Sequence, residues 1–445
     1  MHLPDEDDYP VSELRPYPNN ARTHSPRQIR QIADSIKRFG FTNPVIISED
    51  RMIIAGHGRV EAAKLIGLKH VPVRRLSHLS QDEIRAYILA DNKLAENAGW
   101  DEDLLRIELG GLIDLEVEVE GLGFSTVELD LILDGETNTE PDPVLDAQEP
   151  VNGNQAITQL GDLWQLGPHR LLCGDARSAA DVDRLLGDDL AALLFTDPPY
   201  NVPINGNVGG LGKVKHREFA VGSGELDRAG FIQFLKASLG AAAEHLLDGA
   251  IAFVCMDWRH MSELIEAGDV VFDELKNLCV WNKTNGGMGS FYRSKHELVF
   301  VYKKGKAAHI NNFGLGDTGR YRTNVWDYPG ISSLGPNRDA ELSMHPTVKP
   351  VTLIADAIKD CSRRGQTVLD VFGGSGSTLI AADQCGRRAR LIEIDPIYCD
   401  TIISRFERIT GDPVHLIETG ESFASIRNRR LQSRDDAAVS AGLES

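Results

Sequence analysis

The chain has 445 residues, 42 % hydrophobic and 25 % charged, which supports two to four domains with buried cores at about 100–200 residues per domain. No apolar run reaches the roughly 20 residues that span a bilayer, and Met1–Pro10 is acidic and polar, unlike a signal sequence, so a cytoplasmic chain without membrane contact is expected. The formal charge of −19 argues against nucleic-acid partners, but it is unevenly spread: Asp91 to Pro150 carries 18 acidic and 2 basic residues, leaving 48 acidic against 45 basic elsewhere, so the remainder can present a basic face.

A first domain is expected over residues 11–97. Its prolines keep Ser12–Pro18 extended. Ser25-Pro26 opens a helix over Arg27–Phe39, with Pro26 at a helix-opening position and Ile29, Ile32, Ala33 and Ile36 at helical spacing. Residues 44–47 and 52–55 read as a strand pair around Glu49-Asp50. Gly56-His57-Gly58-Arg59 leads into a helix ending near Gly67, His70–Arg74 is a further strand, and Ser80-Gln81-Asp82-Glu83 starts another helix with capping residues. Residues 98–155 are acidic and leucine-rich. Leu104, Leu105, Ile107 and Leu109, then Val127, Leu129, Leu131, Ile132 and Leu133, mark two short amphipathic helices, and Gly135–Pro150 has linker composition. The charge run reads as a solvated face.

Residues 156–420 alternate apolar strands (191–196, 250–256, 299–302, 367–372 and 390–394) with helical stretches, the pattern of a mostly parallel sheet with helices on both faces. Residues 421–445 form a polar tail with Arg427, Arg429, Arg430 and Arg434, read as disordered or as a phosphate-binding arm. Six cysteines (Cys173, Cys255, Cys279, Cys361, Cys385 and Cys399) are scattered with no Cys-x-x-Cys pair, the usage of reduced thiols rather than of a disulfide framework or a metal site.

Two constellations carry chemistry. In the first, the strand Val368-Leu369-Asp370-Val371 runs through Phe372-Gly373-Gly374-Ser375-Gly376 into a helix beginning Ser377-Thr378. Glycines admit a ligand to the backbone, and the helix N-terminus offers free N–H groups. Glu393 ends the next strand 20 residues after Gly373, the spacing at which a carboxylate binds ribose hydroxyls. The pattern reads as a nucleoside-cofactor site, and it lacks the G-x-G-x-x-G spacing of dinucleotide folds. In the second, the strand Leu193–Thr196 ends in Asp197-Pro198-Pro199-Tyr200. Open α/β sheets place their chemistry beyond strand carboxyl ends, two prolines stiffen the turn, Asp197 and the Pro198 carbonyl accept hydrogen bonds from an amine, and Tyr200 can stack on a flat ring.

Asp197-Pro198-Pro199-Tyr200 resembles the catalytic motif of amino-group DNA methyltransferases, and Val368–Gly376 resembles their S-adenosylmethionine motif. The catalytic motif comes first, as in the β-class. Leu172-Cys173-Gly174-Asp175 is similar to the family strand whose acid binds the cofactor adenine, His345-Pro346-Thr347-Val348-Lys349-Pro350 to the segment that helps hold the cofactor, and Val299–Gly305 to the strand closing the catalytic half. The resemblance covers about Gly161–Gly411. It implies a Rossmann-like α/β methyltransferase domain, double-stranded DNA as substrate, S-adenosylmethionine as cofactor, catalysis by Asp197, Pro198, Pro199 and Tyr200, and cofactor contacts from Asp175, Lys349, Asp370, Phe372, Gly374, Gly376, Thr378 and Glu393. His345 is a weaker candidate. The Asp-Pro-Pro-Tyr form accompanies adenine N6 more often than cytosine N4. Methylation at cytosine C5 needs a Pro-Cys nucleophile, which the chain lacks.

The basic and aromatic stretches Lys283–Tyr292 and Lys303–Tyr328, with Lys295, Lys303, Lys304, Lys306, Arg320 and Arg322, suit DNA contacts, and Asn205–Lys215 with Phe219–Asp227 suits a mobile loop. The first domain resembles the α+β ParB/sulfiredoxin-like family. Gly56-His57-Gly58-Arg59 matches that family's Gly-x-x-Arg box, and Asn19-Asn20-Ala21-Arg22 its Asn-x-Arg element. The resemblance implies DNA docking or regulation, with Gly56, His57 and Arg59 as the nucleotide- or DNA-binding candidates; His57-Gly58 departs from the usual pair, and no catalytic cysteine is present. A nucleotide at this box, a homodimer, and a restriction–modification, prophage or host-regulatory setting in a bacterium or phage are all compatible with the pattern. Rival readings are a ParB-like DNA binder with a non-catalytic methylase scaffold, and methylation of a protein glutamine or an RNA amine.

Overall fold

The computed structural model describes residues 7–115, 117, 119–134, 142, 144–146, 155–202, 224–283, 292–313, 322–330 and 348–443, with side chains to 433. The chain divides into two compact units, Met1–Gly135 and Glu136–Ser445. Among the described residues no helix is long and apolar enough to cross a membrane.

In the first unit, β1 (Asp7–Pro10), β4 (His70–Arg75), β2 (Val45–Ile47) and β3 (Ile53–Ala55) form a four-stranded sheet in that order. Only β4 and β2 are parallel. Helices Pro26–Phe39 and His57–Leu65 pack together beside it. Both helix starts expected from Ser-led caps are present: Ser25 Oγ accepts from Gln28 N at 3.1 Å, and Ser80 with Glu83 makes a reciprocal capping box. The acidic stretch folds into helices Glu102–Asp114 and Thr126–Asp134. Leu105, Leu109, Val119 and Leu129 make a small core there, while Asp101, Glu102, Asp103 and Glu108 face solvent.

The second unit is built on a ten-stranded sheet in the order β11-β9-β10-β8-β7-β12-β13-β6-β5-β14. Its middle is β8 (Leu246–Met256), β7 (Ala191–Thr196), β12 (Thr367–Asp370), β13 (Arg388–Glu393) and β6 (His169–Cys173), all parallel. The expectation of a mostly parallel sheet therefore holds at the centre, and the antiparallel pairings lie outside it. Antiparallel pairings join β10 (His296–Lys303) to β8 and to β9 (Glu274–Asn282), and β5 (Leu163–Leu166) to β6 and to β14 (His415–Leu416). β11 (Val325–Asp327) runs parallel to β9 at the edge. The reason is visible in β9, where residues 274–277 are exposed; outer strands need not be apolar on both faces.

The central strands are. Leu193, Phe195, Val368 and Leu391 enter one apolar core, and their neighbours Leu194, Leu369 and Ile392 enter the other, as period-two alternation requires when both faces are covered. Helix Val351–Cys361 contributes to the first core and helix Arg228–Ala243 to the second. All six cysteines are buried and unbridged.

One expectation is corrected. The polar tail is a helix, Phe423–Leu443, because two apolar residues at its start reach the core: Phe423 and Ile426 are buried, Phe423 packs edge-on to Trp164 at 5.4 Å, and Arg430 donates to Asp162 at 3.0 Å. The linker touches the sheet unit at Val144–Asp146. Arg405 donates to the Leu145 carbonyl at 2.6 Å, and Asp146 Oδ1 accepts the Val351 N–H at 3.0 Å, a carboxylate at a helix start, where backbone donors lack partners within the helix.

Candidate active site

From β7 the chain continues to β8 on one side, and from β12 to β13 on the other. The crevice between the carboxyl ends of β7 and β12 is thus a topological switch point, where open sheets hold their ligands. A cavity occupies it, lined by residues of both sequence motifs, including Asp175, Asp197, Tyr200, Lys349, Phe372, Gly374 and Glu393.

The glycine loop is fastened from below. Asp370 is buried and accepts from Thr196 Oγ1 at 2.9 Å, Phe372 N at 3.0 Å and Thr378 Oγ1 at 2.7 Å. Burial nevertheless pushes its pKa up to about 7, since desolvation outweighs these bonds. Gly374 and Gly376 have φ of +52° and +81°, which L side chains rarely adopt. A Cβ at Gly376 would also stand 3.0 Å from Ile402 Cγ1. Gly376 is packed behind the loop rather than lining the cavity. Glu393 Oε2 accepts from Gly374 N at 2.7 Å and Oε1 from Asp395 N at 2.8 Å; each oxygen keeps a second lone pair. Burial raises its pKa to about 7. Asp175 pairs with Arg177 at 2.6 Å, whose hydrogen bonds lower its pKa.

The Asp-Pro-Pro-Tyr turn is tied at both ends. Tyr200 OH donates to Asp197 Oδ1 at 2.7 Å, with Glu297 Oε2 3.2 Å away. Asn201, at φ +53°, accepts from Gly224 N at 3.0 Å and donates to the Leu226 carbonyl at 2.7 Å; asparagine tolerates that conformation. Lys349 lines the cavity, and its ammonium lies against Asp197 Oδ2, Tyr200 OH (3.0 Å) and Glu297 Oε2 (3.0 Å). Glu297 also pairs with Lys283. Burial pushes the Asp197 pKa up, against the pull of Lys349. Burial also opposes the charge of Glu297, yet Lys349 and Lys283 bring its pKa down to about 2.

Sequence reading missed Glu297, Arg177, Phe234 and Tyr398 in this neighbourhood. Phe234 faces Phe372 at 5.8 Å across the cavity wall, a partner that helical spacing alone marks only as core. Of the expected DNA contacts, Arg322 is corrected: it is turned inward onto Asp360 (3.0 Å) and Tyr328 OH (2.8 Å). Lys295 and Lys306 are exposed. His345, Arg320, Asn205–Lys215 and most of Phe219–Asp227 lie outside the described residues. In the first unit, Gly56 has φ +98° at the helix start, His57 Nε2 accepts from Tyr17 N at 3.2 Å, and Arg59 folds over Gly56 to donate to the Asn43 carbonyl at 2.7 Å. The three residues are adjacent, with the Arg59 guanidinium engaged internally.

Residues 191–404, which hold both the Asp-Pro-Pro-Tyr turn and the glycine loop, match the DNA methylase family model. The chain carries a DNA methyltransferase domain of the N6/N4 amino family. Residues 7–93 match the ParB N-terminal domain and residues 103–160 the ParB-methyltransferase HTH domain, so the chain also carries a ParB-like N-terminal domain, and its acidic stretch corresponds to a helix-turn-helix model where sequence reading saw a helical linker. The ParB-like nuclease domain-containing protein YnaK of Escherichia coli (strain K12) is 54 % identical over 74 residues, covering 17 % of this chain and 85 % of that protein. The type II methyltransferase M.ScaI of Streptomyces caespitosus is 36 % identical over 89 residues, 20 % of this chain and 29 % of that enzyme. Among solved structures, the putative DNA modification methylase TTHA0409 of Thermus thermophilus, complexed with S-adenosyl-L-methionine, is 23 % identical with a TM-score of 0.39, covering 55 % of this chain and 96 % of that one. The cytosine-N4-specific PvuII DNA methyltransferase is 16 % identical with a TM-score of 0.41, covering 63 % and 96 %.

Proposed function

We propose that the methyltransferase modifies the N6 amino group of adenine in double-stranded DNA, with Asp197-Pro198-Pro199-Tyr200 as its catalytic turn. The observation that carries this reading is the Asp197 carboxylate, braced by Tyr200 OH at 2.7 Å, on the wall of the cavity that the glycine loop also lines. An exocyclic amine is a poor nucleophile because its lone pair is delocalised into the ring. Asp197 and the Pro198 carbonyl, by accepting its N–H bonds, localise that pair on nitrogen; positioning and electrostatics then carry the rate. Asp197 also stands ready as a base for the proton that the methylated nitrogen sheds. The target base leaves the duplex at a cost of a few kcal/mol, which contact with the Tyr200 ring partly offsets.

The cavity fits the cofactor. Phe372 and Phe234 offer apolar faces to a flat purine, Glu393 has lone pairs for ribose hydroxyls, Asp175 can accept from the adenine amine, and Gly374 brings bare backbone to the wall. Asp370, Gly376 and Thr378 hold the loop in shape. S-adenosylmethionine, when bound, supplies an electrophilic methyl group. Adenine is preferred to cytosine on the form of the Asp-Pro-Pro-Tyr motif. The ParB-like unit serves DNA docking, since it contains no cysteine and Arg59 is engaged with Asn43. The test is to methylate plasmid DNA, digest it to nucleosides and identify the product by mass spectrometry. N6-methyldeoxyadenosine is expected, and its loss in Asp197→Ala. N4-methyldeoxycytidine would overturn the base assignment, and an active Asp197→Ala the catalytic one.

A further inference from the structure

We infer that Lys349, seated by Glu297, is a positioning residue that holds Asp197 in its amine-accepting, ionised form, and that Lys349 is not a ligand of the cofactor. The inference rests on the reading of Asp197 as the acceptor of the target amine.

Lys349 is 4 % exposed, and a buried ammonium requires partners for its three N–H donors. Three acceptors surround it: Asp197 Oδ2, Glu297 Oε2 at 3.0 Å and Tyr200 OH at 3.0 Å. The ammonium also sits 5.4 Å from the centre of the Tyr200 ring. All three acceptors belong to the catalytic half. The residue is delivered there by a fixed backbone, because Asp146 caps the helix that begins two residues later at Val351.

Glu297 comes from a different strand, β10, and is 7 % exposed. One of its oxygens faces Lys349 and the other Lys283, so two carboxylates alternate with two ammonium groups. Glu297 gives Lys349 a second seat. When a substrate amine reaches Asp197 and Lys349 withdraws from Oδ2, the buried cation still has a counter-ion, and Asp197 is released without stranding a charge. The groups facing Asp197 from every packed element are Tyr200 on its own turn, Lys349, Glu297 on β10, Cys255 on β8 and Asp370 on β12, with Lys283 behind Glu297. Burial and Glu297 favour the neutral acid, whereas Lys349 favours the carboxylate. A neutral Asp197 would offer a hydroxyl where the amine needs an acceptor.

The two partners therefore act on Asp197 with opposite sign, and substitution separates them. The experiment is single-turnover methyl transfer by the full chain, saturated with DNA and labelled S-adenosylmethionine, from about pH 5 to pH 9. Lys349→Met moves the acid limb of the profile to higher pH by about 1–3 units, the usual effect of losing an opposite charge at this range. Glu297→Gln moves it to lower pH, and Lys349→Arg leaves it near the wild-type position. Donor affinity, measured by calorimetry, changes by less than about threefold in each, under ~0.7 kcal/mol. Acid limbs that coincide in wild type, Lys349→Met and Glu297→Gln would overturn the inference. So would a donor affinity about tenfold weaker in Lys349→Met with the limb unmoved, which would return Lys349 to the cofactor. If Lys349→Met does not fold, Glu297→Gln decides alone, and an unshifted limb there is fatal. The two readings fail separately: activity surviving in Asp197→Ala sinks the catalytic assignment, whereas unmoved limbs beside an inactive Asp197→Ala sink only the positioning role.

Discussion

Asp370→Asn tests the claim that the glycine loop is anchored by a carboxyl whose charge is disfavoured. The pKa of Asp370 rises from 3.8 to about 7 on folding. An acid with the higher pKa in the folded state binds more protons there, so its contribution to stability falls as pH rises from about 4 through 7. At ~1.4 kcal/mol per unit, the loss reaches at most about 4 kcal/mol above pH 8. Asparagine preserves the anchor. Its Oδ1 takes the Thr196 hydroxyl and Phe372 N–H that Asp370 Oδ1 accepts, while the Thr378 hydroxyl, now donating to Oδ2, rotates to accept from the amide. Urea unfolding followed by tryptophan fluorescence reports mainly the catalytic unit, because Trp164, Trp258, Trp281 and Trp326 lie there and only Trp100 does not. The wild-type stability minus that of the variant should decline between about pH 4.5 and 8, by up to ~4 kcal/mol. Parallel pH curves for the two proteins would refute the account.

Gly376→Ala should destabilise by about 1–2 kcal/mol for its left-handed backbone and by a further ~1–3 kcal/mol for the contact with Ile402, with weakened donor binding in calorimetry; an unchanged unfolding midpoint counts against the packing described. Arg405→Met removes donors to the Ser375 carbonyl at 2.9 Å and the Leu145 carbonyl at 2.6 Å, so the same unfolding assay should read a loss of about 1.5–3 kcal/mol. Phe423→Ala should cost about 3–5 kcal/mol; a midpoint equal to wild type would return the last segment to the role of a solvated tail.

The glycine loop and the Asp-Pro-Pro-Tyr turn were legible because each is a contiguous strand-to-turn signal. Apolar runs at β7 and β12 are long enough to be strands, and Gly374 or Pro198 stands where a helix or strand must stop. The Ser25 and Ser80 caps were legible for the same reason, since a hydrogen bond across three residues leaves its mark within a short stretch of chain. The order of the strands and the switch point between β7 and β12 had no local signature.

Charge was the least reliable guide. Arg322 read as a DNA-facing cation, and nothing in the local sequence of Arg405 marks it as buried. Both are turned inward by partners distant in sequence, Asp360 for the first and Leu145 for the second. The tail read as polar because charged and hydroxyl side chains dominate it, although Phe423 and Ile426 suffice to dock its first turns. Composition and local pattern by themselves determined that this chain makes two kinds of domain, one with a glycine-loop α/β sheet and one with a short α+β pattern, and which turn holds Asp197. Only the tertiary structure brought Lys349 across 152 residues to that carboxylate and placed Glu297 beside both, because the pairing of buried charges depends on which strands lie side by side, and one-dimensional periodicity does not encode it.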